Sequence, residues 1–195
     1  MAFSPKSLCV FCGSKTGIEV AYEQEARQLG KSMAQMGIRL VYGGGSLGIM
    51  GIIANSVLEN NGQVSGIIPE FLLKYEIGNP HVDELIITQN MHKRKEIMFE
   101  KSDGIIILPG GLGTLDEAFE ILTWKQLHLH AKPVFLMDVN GYWQPFLNLI
   151  DHIVAKEFAH EKIKDLYISV KSTEDLFSKF DQIPNVDPIV LKSHL

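Results

Sequence analysis

The sequence has few cysteines, no excess of positive charge and no long apolar run, and each absence narrows what the chain can be. The 195 residues include 18 Lys and Arg against 23 Asp and Glu, a net charge of −5. Nucleic acid is therefore not expected as the main partner, because a phosphate backbone needs a basic surface. No apolar run approaches the roughly 20 residues that cross a bilayer. With no targeting segment recognised either, a cytoplasmic protein that binds no membrane is expected.

The only two cysteines, Cys9 and Cys12, are spaced as C-x-x-C, which in other settings indicates a redox pair or a zinc site. Here they lie in a strand-like run, where a spacing of three places the side chains on opposite faces. No further cysteine completes a zinc site. We expect two buried, reduced thiols, and no metal or cofactor, since no cluster of His, Cys and Asp suggests one.

Short apolar runs alternate with longer amphipathic stretches along the chain. The predicted strands are Leu8–Cys12, Arg39–Tyr42, Val64–Ile68, Glu84–Thr88, Gly104–Leu108, Pro133–Met137 and Leu166–Ser169. The predicted helices are Val20–Met36, Leu47–Asn60, Met91–Lys101, Thr114–Leu129, Tyr142–Lys156 and Thr173–Asp181. Strands such as Gly104–Leu108 are apolar throughout rather than alternating, as a parallel sheet covered on both faces requires. The pattern predicts an α/β fold: a Rossmann-like, doubly wound, mostly parallel sheet of about seven strands with helices on both faces.

No repeat or linker divides the chain, and its apolar fraction of 46% is ordinary for a globular protein. We expect a single nucleotide-binding α/β domain over residues 1–183. The remaining residues, 184–195, contain Pro184 and Pro188 and are expected to form an irregular C-terminal tail.

Three glycine-rich turns follow predicted strands, at the sheet edge where such folds bind ligands. They are Cys12–Gly17, Gly43–Gly48 and Pro109–Thr114. Glycine lets the backbone approach a ligand, and the helix that follows offers free N–H donors. The second turn also fits a dinucleotide fingerprint, although that signal is weak by itself. No Walker sequence is present, so triphosphate hydrolysis of that kind is not expected.

The run from Pro109 to Glu117 has two readings. In the first, Thr114 caps a helix and Glu117 returns the hydrogen bond as a capping box. In the second, a phosphate lies on the amides of residues 110–114 and Glu117 is an ionised carboxylate one turn into the helix. It then stabilises positive charge on a substrate or activates a water molecule. The glycines favour the second reading, because a helix cap does not need them.

A basic helix precedes this run. Met91, Arg94, Lys95 and Met98 share one face at i, i+3, i+4 and i+7. Arg94 is therefore either an arginine extending to solvent from the core edge or one held at a pocket wall, where its planar fork bonds phosphate or ribose oxygens. Lys95 is either a ligand contact or a solvated neighbour.

These motifs resemble the LONELY GUY family of cytokinin riboside 5′-monophosphate phosphoribohydrolases, often labelled lysine decarboxylase-like. Pro109–Glu117 matches P-G-G-x-G-T-x-x-E, and Met91–Lys95 matches M-H-x-R-K. Further matches are Phe11–Ser14, Val41–Ser46, Thr123-Trp124 with Gln126, and Asn140–Tyr142. Lys15 departs from the pattern, which has a second serine there.

The resemblance implies a homodimer that cleaves the N-glycosidic bond of a purine riboside 5′-monophosphate, giving free base and ribose 5-phosphate. It implies Arg94 and Glu117 as the catalytic pair. The expected substrate contacts are Gly13, Ser14, Gly44, Gly45, Met91, Lys95, Gly110, Gly111, Gly113 and Thr114. Whether the base is a prenylated adenine or plain adenine stays open.

Three other functions fit parts of the sequence. A non-catalytic carrier of a nucleotide or of molybdenum cofactor would use the same scaffold, but the presence of both Arg94 and Glu117 disfavours it. A lysine decarboxylase would need a lysine placed for a Schiff base with pyridoxal phosphate, and none is evident. A dinucleotide oxidoreductase rests only on Gly43–Gly48.

Overall fold

The computed structural model describes residues 3–76 and 78–183, and the expected tail at 184–195 lies outside them. Within this part the chain forms one sheet of seven strands, ordered β4-β3-β2-β1-β5-β6-β7. Every neighbouring pair of strands is parallel. The strands are β1 Ser7–Phe11, β2 Arg39–Tyr42, β3 Val64–Pro69, β4 Glu84–Thr88, β5 Gly104–Ile107, β6 Val134–Met137 and β7 Ile168–Val170.

Helices connect the strands. They are α1 Val20–Gln35, α2 Gly48–Glu59, α3 Leu73–Glu76, α4 Met91–Glu100, α5 Leu112–Gln126, α6 Gln144–Ala155 and α7 Thr173–Ser178. Short 3₁₀ segments occupy Glu70–Leu72, Val139–Gly141, Glu161–Leu166 and Phe180–Gln182. Among the helices of the described residues, none has the length and apolar character that a membrane crossing requires.

Two separate cores form on the two faces of the sheet. Leu8, Val10 and Cys12 of the β1 segment join α1, α2 and α7 in one core. Cys9 and Phe11, which alternate with them, join α4, α5 and α6 in the other. The predicted doubly wound sheet is thus confirmed, and so is the prediction that both thiols are buried on opposite faces. Neither thiol is in a disulfide.

The strand order places the switch point of the fold at β1. This strand pairs with β2 on one side and with β5 on the other, so the chain winds outward in both directions from it. Ligands of open α/β sheets bind beyond the carboxyl ends of the strands at such a point. The turns after β1 and β5 meet there directly, since the Gly13 amide donates to the Pro109 carbonyl over 3.0 Å.

Most predicted boundaries agree with the observed ones to within two residues, and the ends of α5 and α7 come three residues earlier than predicted. The start of α5 matters most for the site, although it differs by only two residues. The helix begins at Leu112 rather than Thr114, with Gly111 as the preceding cap residue in an extended conformation. The glycines of residues 110–113 predict a turn there, with the helix beginning at Thr114. Gly113 instead lies inside the helix, where glycine lowers helix stability. A Cβ atom added at Gly113 would have no heavy atom within 4 Å.

Candidate active site

Helix α4 presents Arg94 to the interior because Asn90 fixes where the helix begins. The Asn90 side chain accepts a hydrogen bond from the Lys93 amide at 2.9 Å, which satisfies one of the free donors of the first turn. With this start, Arg94 and Lys95 fall on the inward face, where they are 5% and 6% exposed. The predicted shared face with Met98, which is also buried, is confirmed.

The Arg94 guanidinium is held by main-chain carbonyls at the ends of two strands. Its Nε donates to the Ile67 carbonyl at 3.1 Å, and its Nη2 donates to the Gly43 carbonyl at 3.0 Å. A Cβ atom added at Gly43 would lie 2.0 Å from Nη2, so residue 43 has to be glycine for this arrangement to form. The alternative in which Arg94 extends to solvent is therefore wrong.

Helix α5 carries the second predicted catalytic residue, and its start contradicts the capping box. Because Gly111 is the cap residue, Thr114 is the third residue of the helix and Glu117 the sixth. A capping threonine must lie outside the helix, so the two side chains cannot form that motif. The cap residue, Gly111, has no side chain that could bond the first turn, so the backbone N–H groups at the N-terminus of α5 can serve an anionic ligand.

A cavity of about 190 Å³ brings most of the predicted site residues together. Arg94 and Glu117 are among the residues that line it, and the Glu117 side chain is itself buried, at 7% exposure. The lining residues are Cys12, Gly13, Ser14, Met50, Met91, Arg94, Gly111, Leu112, Gly113, Thr114 and Glu117. We call this cavity the inner pocket.

A second cavity of about 370 Å³ adjoins the inner pocket and shares Gly13, Ser14 and Gly111 with it. We call it the outer chamber. Predicted Gly110 lines this chamber, together with Lys15, Thr16, Gly17, Tyr22, Ile49, Pro109 and Tyr142. Nothing in the sequence indicated that Tyr22 lines a cavity, because a tyrosine near the start of an amphipathic helix carries no such signal. Tyr142 was noted only as part of the Asn140–Tyr142 match.

The negative charge of Glu117 affects the pKa of Cys9. Burial raises the pKa of the Cys9 thiol well above its ordinary value, and the negative charge of Glu117 raises it further. Such a thiol stays protonated and is a poor nucleophile. The C-x-x-C spacing therefore reflects the two buried faces of β1 and does not mark a redox pair.

Lys95 does not line either cavity. Its ammonium lies 3.0 Å from Asp116 Oδ2 and 2.8 Å from Glu120 Oε2, so it ties α4 to α5. It is neither a solvated neighbour nor a group directed into the pocket. A substrate contact for Lys95 stays a prediction that this geometry disfavours.

Gly44 and Gly45 also lie outside both linings. An added Cβ at Gly44, whose φ is +77°, would lie 3.0 Å from the Ile68 side chain, and the Gly44 carbonyl accepts from the Asn79 amide. Gly45 forms an isolated bridge with Gly78. Both glycines pack the second turn against neighbouring chain, and their substrate contacts likewise stay predictions.

The combined arrangement brings helix-terminal N–H groups, a cation and a carboxylate to one cavity. The uncapped start of α5 supplies N–H donors and the positive end of a helix dipole. Arg94 supplies a fixed cation, and Glu117 supplies a buried carboxylate in the same cavity. A carboxylate in this setting stabilises positive charge that develops on a sugar ring.

The chain matches the model of the family described as "Possible lysine decarboxylase" over residues 50–180. It is 43% identical over 175 residues to the probable cytokinin riboside 5′-monophosphate phosphoribohydrolase LOGL1 of Oryza sativa subsp. japonica, covering 90% of this chain and 78% of the relative. It is 40% identical over 188 residues to the cytokinin riboside 5′-monophosphate phosphoribohydrolase LOG1 of Arabidopsis thaliana, covering 96% and 88% respectively.

Among solved structures, a molybdenum cofactor binding protein from the phototrophic bacterium Rippkaea orientalis matches with a TM-score of 0.68 and 25% identity, covering 91% of this chain and 96% of that one. The molybdenum cofactor carrier protein of Chlamydomonas reinhardtii matches with the same TM-score at 22% identity and the same coverage of both chains. The latter likeness shows a shared fold. By the family match and the identity to its curated relatives, the chain belongs to the LONELY GUY family of cytokinin riboside 5′-monophosphate phosphoribohydrolases.

Proposed function

We propose that the chain is a phosphoribohydrolase that cleaves the N-glycosidic bond of a purine riboside 5′-monophosphate, of the cytokinin or AMP type, to free base and ribose 5-phosphate. The observation that carries the proposal is the inner pocket, which combines the buried Glu117, the fixed Arg94 and the uncapped start of α5. Relatives about 40% identical over most of the chain are named for this activity.

In this proposal the 5′-phosphate lies on the N–H groups at the start of α5, with Gly13 and Ser14 on the facing turn. The ribose then lies over Glu117. Breaking the bond from C1′ to the base nitrogen leaves oxocarbenium character on the sugar, which the Glu117 carboxylate stabilises. Water adds its oxygen to C1′ and gives up a proton, and the base leaves with the bonding electrons and gains a proton. Arg94 either holds the nucleotide or offsets negative charge on the departing base.

A carrier of nucleotide or molybdenum cofactor is the second candidate, because proteins of that kind share the fold. Its relatives resemble this chain at 22–25% identity, against 38–43% for the phosphoribohydrolases. Tight binding of nucleotide without any turnover would favour the carrier.

The proposed activity is tested by incubating the protein with AMP and with its N6-isopentenyl analogue, and by separating free base and ribose 5-phosphate chromatographically. We expect both products from at least one substrate. Absence of free base at high protein concentration would contradict the proposal.

The role of Glu117 is tested with Glu117→Gln, which keeps the shape of the side chain and removes its charge. We expect kcat to fall on the order of 10²–10³-fold, the usual cost of losing an electrostatic stabiliser of a transition state. Thermal unfolding of the variant should stay close to wild type. Wild-type turnover in Glu117→Gln would remove the carboxylate from the mechanism.

Assembly as a homodimer and a cytosolic location belong to the same proposal. Large apolar side chains at Leu127, Leu129 and Phe158 are 48%, 67% and 83% exposed, and a partner subunit would remove such surface from water. Sedimentation equilibrium tests the assembly, for which a mass of twice 21.8 kDa is expected.

A further inference from the structure

Tyr142 contacts the glycine turn of the site although it comes from a different part of the chain. It follows the short 3₁₀ segment Val139–Gly141 after β6, in which Asn140 and Gly141 have φ values of 51° and 76°. These left-handed residues turn the chain back toward β5. The Tyr142 hydroxyl then donates to the Gly110 carbonyl at 2.6 Å.

Two hydrogen bonds therefore fix consecutive peptide units of the turn. The Pro109 carbonyl accepts from the Gly13 amide at 3.0 Å, and the Gly110 carbonyl accepts from Tyr142. In a trans peptide unit the C=O and N–H groups point in opposite directions. The bond to Tyr142 consequently directs the Gly111 N–H away from the Tyr142 hydroxyl.

Gly111 also borders the inner pocket. Tyr142 lines the outer chamber and is absent from the lining of the inner pocket, whereas Gly111 lines both. A Gly111 N–H that points away from Tyr142 points away from the wall of the outer chamber that Tyr142 forms, and within the described residues it has no backbone acceptor.

We propose that Tyr142 is a positioning residue that, through the Gly110 carbonyl, aims the Gly111 N–H at the 5′-phosphate of the substrate. The proposal rests on the proposed function in so far as the ligand is a phosphate ester. Without the Tyr142 hydroxyl, the carbonyl of the Gly110–Gly111 peptide unit loses its hydrogen bond. Glycine on both sides of that peptide unit makes rotation easy, so a separate anchor is needed.

A purely structural role of the Tyr142 hydroxyl can be distinguished from a positioning role, because other groups hold the turn that carries Tyr142. The Asp138 carboxylate accepts from the Trp143 amide at 2.7 Å, and the Trp143 side chain is 3% exposed. Removing one hydroxyl leaves both features in place. We therefore expect Tyr142→Phe to fold with nearly wild-type stability.

Tyr22 provides a matched control. Its ring packs edge-on against that of Tyr142 at 5.4 Å between centroids, and it lines the same chamber. Its hydroxyl is associated with Glu19 rather than with the glycine turn. Tyr22→Phe thus makes the same chemical change in the same cavity without touching the Gly110 carbonyl.

The test compares dissociation constants of wild type, Tyr142→Phe and Tyr22→Phe by calorimetry, using AMP, inorganic phosphate and adenosine as probes. We expect Tyr142→Phe to weaken AMP and phosphate about 3- to 10-fold, the range for one misdirected hydrogen bond. Adenosine binding should be unchanged, and so should every constant of Tyr22→Phe. In turnover, KM for the monophosphate should rise in the same proportion with kcat retained, since the phosphate is bound equally in ground and transition states.

Unchanged AMP affinity in Tyr142→Phe overturns the inference. Equal losses for adenosine, or equal losses in Tyr22→Phe, also overturn it, because they would show a general effect on the chamber. Since the readout is binding, a wild-type protein that binds AMP but releases no base would refute the proposed hydrolysis and leave the test of Tyr142 intact.

Discussion

Lys125 offers a prediction about stability that follows directly from its position. It lies in the last turn of α5, on the inward face, and is 4% exposed. Within the described residues it forms no ion pair. Burial of the ammonium lowers its pKa from 10.5 to about 8. The folded protein therefore carries a charge at neutral pH that it would be more stable without.

The size of this penalty follows from the shift of the Lys125 pKa. A pKa lowered from 10.5 to about 8 corresponds to an upper limit of about 3 kcal/mol. Relaxation of the flexible lysine stem toward water reduces that figure. Lys125→Met keeps the length of the side chain and removes the charge. We expect it to raise the free energy of unfolding by about 1–2 kcal/mol at pH 7, which corresponds to roughly 2–8 °C in Tm.

The pH dependence identifies the cause. Between pH 8 and 10.5 the unfolded chain retains the Lys125 proton that the folded chain has released, so wild-type stability gains a contribution as the pH rises through this window. The advantage of Lys125→Met should be full below pH 8 and vanish near pH 10.5. Urea unfolding at pH 7 and pH 10 measures both, with Lys31→Met, at an exposed position of α1, as the control.

Two outcomes would refute the reasoning about Lys125. The first is a Lys125→Met variant no more stable than wild type at pH 7, which would mean that the ammonium is adequately solvated in the fold. The second is a stability gain of the same size at pH 7 and pH 10, which would assign the gain to packing of the thioether rather than to removal of charge.

The remaining predictions concern the two helices of the site. Gly43→Ala should leave Tm within a few degrees of wild type, because the added Cβ meets only the flexible side-chain ends of Arg94 and Met50. Activity with AMP should nevertheless fall at least tenfold, and retained activity would show that the position of the guanidinium is unimportant. Lys95→Met should lower the free energy of unfolding by about 1 kcal/mol in urea titrations, because it leaves the largely buried Glu120 carboxylate without its partner, whereas the exposed Asp116 carboxylate returns to water. A rise in KM with unchanged stability would instead support Lys95 as a substrate contact.

The sheet was predictable because its strands carry a strong signal. Runs such as Gly104–Ile107 are apolar on both faces and buried along their whole length, which only a covered parallel sheet permits. The order of the strands could not be predicted in the same way, because strand pairing depends on contacts between residues far apart in sequence. Leu8 pairs with Gly104 across the sheet, and nothing local to either residue specifies that partner.

The site was predictable where one helix face or one turn carries the signal. The Met91, Arg94, Met98 face indicated an inward arginine, and that is what the structure shows. The carbonyls that hold its guanidinium belong to Gly43 and Ile67, 51 and 27 residues away. Contacts between residues so far apart in sequence depend on the whole fold. The sequence therefore identified Arg94 but not the carbonyls that hold its guanidinium.

The three glycine turns look alike in sequence, but the structure gives them different tasks. The turn after β2 contributes the Gly43 carbonyl and the space beside it, and so serves Arg94. The turns after β1 and β5 bond to each other through Gly13 and Pro109 and together line the inner pocket. One turn therefore positions a side chain, and the other two orient backbone donors. On this division of tasks, Gly43 in the turn after β2 is needed to keep a cation in place, and Gly111 is needed because a donor must approach a ligand closely.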